Sequence, residues 1–218
     1  MRARLLLGVL CGAGLLAGVA HASARPLRPS DAALLKRAPT PEEVIAQNVA
    51  ARLTRLHPEV RCGPLGISVP AGALVTGITL IPPHGPAGYF LLLPEMCNYL
   101  AWFRADPLRY DPSACTDTDS DCQKTDGLAA LALATVSHES YHVLGYRNEA
   151  QVECYGMQSI WFVATSLGAS VAEGQRIAQF YWTHIYAERE ESTPSYWSPE
   201  CRDGGKYDLR PKSHSWPS

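Results

Sequence analysis

The side chains in this chain best arranged for chemistry are His138 and His142, four residues apart, with Glu139 directly after the first. They lie in an apolar, alanine-rich stretch from Gly127 to Leu144 that has no proline, which predicts a buried helix with Asp126 as its N-cap. Residues four apart share a helix face, so the two imidazoles can converge on one point, half of a tetrahedral zinc site. Glu139 sits a quarter-turn round, within reach of a metal-activated water, where a general base belongs. The bland alternative is two satisfied core histidines on a helix.

After Gly145, suited to the left-handed conformation that ends a helix, Asn148 is a good N-cap for a second helix over Glu149–Gln158. Glu149 and Glu153 share a face of it. Here the sequence resembles the gluzincins, the zinc peptidases typified by thermolysin, in which the His-Glu-x-x-His helix is followed by a second helix carrying Asn-Glu-x-x-x-Asp. The resemblance covers about residues 127–158. It implies Zn2+ held by His138, His142 and Glu149, with Glu139 as catalytic base and Glu153 as the acid that orients a ligand histidine. Only six residues separate His142 from Glu149, fewer than thermolysin-like enzymes use. Gly145, three residues after His142, is similar to the metzincin pattern, whose third ligand would fall at Asn148. The third ligand therefore stays open among Glu149, Glu153 and Asn148. Glu149 read blandly is an acid stabilising a helix N-terminus. His184, in the aromatic run Tyr181–Tyr186, is a possible transition-state donor or a packing histidine; Tyr141 and Tyr155 read first as core.

The elements that must position these groups follow in chain order. Met1–Ala24 has a basic start, an apolar core and a small-residue end, the pattern of a signal peptide. Removing Arg2 and Arg4 with it takes the formal charge from −2 to −4. No basic block remains, which disfavours nucleic acid and anionic membrane as partners. No later stretch is long and apolar enough for a membrane span. The expected product is exported and soluble, and its oligomeric state is not legible. Residues 25–39 read as a linker or short pro-segment, and residues 40–218 as one domain. Six of the seven cysteines lie in the exported part, an even count that favours disulfides. Cys115 and Cys122 bracket a short loop and form the first expected pair; a Cys154–Cys201 bond would tie the tail to the second site helix.

Thr40-Pro41-Glu42-Glu43 is a capping box opening a helix to about His57, with Val44, Ile45, Val49, Leu53 and Leu56 as its apolar face. Residues 73–81 and 88–93 read as strands joined by a turn at 82–86, and Pro94–Arg104 as a helix. Asp106–Asp126 reads as an acidic loop whose Asp117–Asp121 echoes a calcium site without its glycine or closing glutamate. Ser170 opens a third helix to about Glu188, and an irregular tail follows Glu190.

The expected fold class is α+β: a small zincin-like domain with a few-stranded sheet, a motif helix and C-terminal helices, stapled by disulfides. The expected function is a secreted zinc metallopeptidase acting on a peptide or protein substrate. The competing expectation is a disulfide-stapled exported binding protein whose metal site is structural or non-catalytic.

Overall fold

The structure, a computed structural model, describes residues 29–65, 75–79, 88–110, 120–213 and 215–218. The leader, the turn at 82–86, the calcium-like stretch from Asp117 and the Cys115–Cys122 pairing fall outside what is described. Two short helices begin it, α1 (Pro29–Lys36) and α2 (Pro41–Thr54), then strand β1 (Glu59–Cys62). Strands β2 (Gly77–Thr79) and β3 (Tyr89–Leu92) precede α3 (Pro94–Ala105). The remaining helices are α4 (Ser120–Val143), α5 (Glu149–Gln158), α6 (Ile160–Ser166), α7 (Val171–Tyr181) and α8 (Arg189–Ser192). This is an α+β arrangement, mostly helical, with three strands ordered β1-β3-β2. β1 pairs parallel to β3 (Val60 opposite Phe90), and β2 pairs antiparallel to it (Ile78 opposite Leu91).

The centre of the domain is α4. From Ala129 to Val143 every residue is buried, because α2, α3, α5, α6, α7 and two strands all pack on it. A helix apolar all round must be enclosed in this way. Each fully buried leucine on it, such as Leu131 or Leu133, contributes about 1.5–3 kcal/mol through burial. Yet no helix among the described residues is long and apolar enough to cross a membrane.

Several sequence expectations are corrected. α4 begins at Ser120, so Asp126 is a buried residue inside the helix and not its cap. Gly127 is a weak helix former, yet it lies buried within α4. The capping box at Thr40 is present, and of the expected apolar face of α2 Val49 is buried and Ile45 packs on the core. Ala46, Val49 and Ala50 are buried while Val44 and Leu56 are exposed, because the alanines allow the closest approach to α3 and α4.

Residues read as linker hold α1, whose Leu34 packs on the small cluster of Leu65, Val75, Ile78 and Leu91. β1 escapes a hydrophobic reading because Arg61 is one of its inward residues, its guanidinium spent on the Leu34 carbonyl (3.2 Å) and Gln47 (2.8 Å). The tail is not wholly irregular, since it holds α8 and a 3-10 turn at Pro194–Tyr196. Among the described residues two disulfides staple the fold: Cys62–Cys97 joins β1 to α3, and Cys154–Cys201 joins α5 to the tail.

Candidate metal centre

α4 and α5 lie against each other, and their junction is built for closeness. Gly145 at φ 95° ends the first helix in a conformation that side chains resist. Asn148 caps the second by accepting from the Gln151 amide at 2.9 Å. Gly156 then faces His138: a Cβ there would sit 3.1 Å from the His138 nitrogen. The absence of a side chain lets α5 carry its two acids up to the histidines.

Three donor atoms meet at that junction. His138 Nε2 and His142 Nε2 are 3.0 Å apart, and Glu149 Oε2 lies 3.2 Å from the first and 3.3 Å from the second. His138, His142 and Glu149 therefore form a group that could hold a metal ion. Glu153 is not among the donors. It accepts from the far side of the ring, with His138 Nδ1 at 2.8 Å. Likewise His142 Nδ1 donates to the Tyr146 carbonyl at 2.8 Å. Asn148 is occupied as a cap.

These outer bonds decide what the inner atoms are. With each Nδ1 carrying the proton, each neutral ring presents a bare lone pair at Nε2. Two ring nitrogens and a carboxylate oxygen then face one another within hydrogen-bonding distance, an arrangement that a metal ion, or in its absence a proton on His138, satisfies. Without a metal ion, a proton takes that place. His138 is pushed up to about 10, against the cost of burial, by the carboxylates of Glu149 and Glu153. Burial acts to raise Glu149, but its bonds to the two histidines hold it down at about 2. For metal–ligand bonds of about 2.0–2.1 Å, a tetrahedron has edges of about 3.3 Å. The observed separations fit that without rearrangement.

Glu139 is fully buried beside this group and is oriented by the edge strand. Thr79 Oγ1 donates to its Oε2 at 2.5 Å, and Oε1 is buried with no hydrogen-bond partner. β2 comes this close because residue 77 is glycine, where a Cβ would stand 2.8 Å from Glu139 Oε1 and 2.9 Å from Thr135 Cγ2. Burial raises the Glu139 carboxyl above its ordinary range.

The structure does not bring His184 to the cluster. Its exposed ring stacks on Phe180 at 4.6 Å. Tyr141 bonds Ser159 at 2.8 Å, and Tyr155 packs between Tyr141 and Tyr146. The aromatic residue at the centre is Tyr196, buried, with its ring 5.9 Å from that of His138. Burial together with the field of Glu149 and Glu139 raises its phenol, which keeps its proton. Tyr196, Thr79 and Arg189 carry no sequence signal. Comparison with family models, with curated proteins and with solved structures returned no match.

Proposed function

We propose that this protein is a zinc-dependent hydrolase, most simply an exported peptidase that cleaves amide bonds. The observation that carries the reading is the inward convergence of His138 Nε2, His142 Nε2 and Glu149 Oε2, each imidazole locked from behind through Nδ1. A two-nitrogen, one-carboxylate donor set at tetrahedral spacing suits zinc, and three protein donors leave a fourth position open, as in catalytic rather than structural sites. Zinc there supplies the Lewis acid that polarises a carbonyl and acidifies water.

The chain's own residues do the rest. Thr79 holds one oxygen of Glu139, so the unpartnered Oε1 takes the proton of the attacking water and hands it to the departing amine. Its raised proton affinity makes it a better base than an ordinary carboxylate. Tyr196, kept protonated, donates to the oxygen on which charge builds. β2 is the terminal strand of the described sheet and carries Thr79, so an extended peptide laid along it would pass the base. Export is supported by the two disulfides and the leader-like start.

The discriminating experiment pairs metal content with hydrolysis of a mixed peptide library. Wild type is expected to carry one zinc and cleave. A fully zinc-loaded wild type that cleaves nothing would return the advantage to a binding protein.

A further inference from the structure

Behind the metal-facing side of His138 stands a buried ion pair whose Arg189 half the hydrolytic scheme does not use. Glu153, only 2 % exposed, accepts from His138 Nδ1 through Oε2. Its other oxygen receives the Tyr181 hydroxyl at 2.6 Å and faces Arg189 Nε at 2.8 Å. Arg189, equally buried, also donates through Nη2 to the Tyr181 hydroxyl at 2.8 Å. Its guanidinium lies 5.6 Å from the centre of the Tyr196 ring, the same ring that sits beside His138.

The chain arrives here by an irregular route. After α7 the helix widens into a π turn over Trp182–Tyr186, closed by the Ala187 amide on the Trp182 carbonyl. That shift of phase allows Tyr181 and Arg189, eight residues apart, to meet one carboxylate. π turns cluster at functional sites for this kind of re-aiming.

A buried guanidinium is costly unless matched, and a hydrophobic pair of the same volume would often serve stability as well. Here the pair has a second effect. It keeps an anionic acceptor behind His138.

We propose that Arg189 is a positioning residue of the metal centre, acting through Glu153 to hold His138 with Nε2 toward the other two donors. This rests on the reading of those donors as a metal site. The test measures affinity for Zn2+ and Co2+ by chelator competition, the visible spectrum of the Co2+ form, and the melting temperature, in the full exported chain. Arg189→Met should weaken metal binding about 10–100-fold and shift the Co2+ bands, while Arg189→Lys recovers most of the affinity. The double variant Glu153→Gln with Arg189→Met removes both buried charges. Its melting temperature should return toward wild type while metal affinity stays low.

A purely structural pair would restore both together, and that result overturns the proposal. So does a folded Arg189→Met with wild-type affinity and spectrum. Should that variant not fold, Tyr181→Phe takes one donor from Glu153 without stranding a charge, and it should weaken metal binding severalfold; unchanged affinity there is equally fatal. Wild type that binds neither ion would sink the metal reading itself, whereas wild type that binds while the variants match it sinks only the role of Arg189.

Discussion

The candidate metal centre is assembled from two regions that differ in kind. α4 and α5 contribute His138, Glu139, His142, Glu149 and Glu153 from 16 consecutive positions, with spacings that follow the turn of a helix. The segment from Tyr181 to Cys201 contributes Tyr181, Arg189 and Tyr196 singly, through a π turn, a four-residue helix and a 3-10 turn, and is pinned to α5 by Cys154–Cys201. In the proposed scheme the first region supplies the donors and the base. The second supplies the groups that hold them and shape the charge around them. Chemistry concentrated on one helix pair still depends on a distant, irregular stretch to aim it.

The strongest break in that comparison is at Glu139. Glu139→Gln should keep its metal and its fold while hydrolysis falls about 10²–10⁴-fold, measured as kcat beside zinc content. Next comes the second region. Tyr196→Phe should lower kcat about 10²–10³-fold with metal content unchanged. A loss confined to KM would make Tyr196 a packing residue and leave all the chemistry on α4 and α5. Smaller again is the strand that aims the base: Gly77→Ala must push Glu139 or β2 aside, and kcat should drop about tenfold without loss of metal.

A pH series sharpens the same contrast. In metal-free protein His138 is raised from 6.5 to about 10, so its contribution to stability is full below 6.5 and fades as pH rises toward 10. Glu149 is lowered from 4.5 to about 2, so its contribution is full above 4.5 and is lost as pH falls toward 2. Metal-free protein should therefore melt highest between about pH 4.5 and 6.5. Bound metal needs unprotonated imidazoles, so the gain in melting temperature on adding zinc should grow from pH 5 to pH 8. The smallest effect belongs to His184→Ala, whose exposed side chain should change kcat/KM by less than about twofold.

What was legible follows the same division. The helix over 149–158 with its Asn148 cap and the capping boxes at Thr40 and Ser170 could be read from local spacing, whereas the Cys154–Cys201 bond, between residues 47 apart, was one open pairing among several. The start of α4 could not be read, since its polar first turns look like loop. Nor could β1, whose buried Arg61 disguises a core strand as a polar one. Arg189 and Tyr196 were invisible for a stricter reason. Each acts alone, at no fixed distance from the motif, and its role exists only once the chain has folded back to it. His184 drew attention through its aromatic neighbours, and those neighbours are what it packs on.

The central claim is that one metal ion is held by both imidazoles and Glu149, with Glu153 behind His138. Its most direct test is anomalous diffraction at the zinc edge from crystals of zinc-replete protein. The account predicts a single peak bonded to His138 Nε2, His142 Nε2 and a Glu149 oxygen, with Glu153 still on His138 Nδ1. No peak at that junction, or one bonded to Glu153 in place of Glu149, would contradict it.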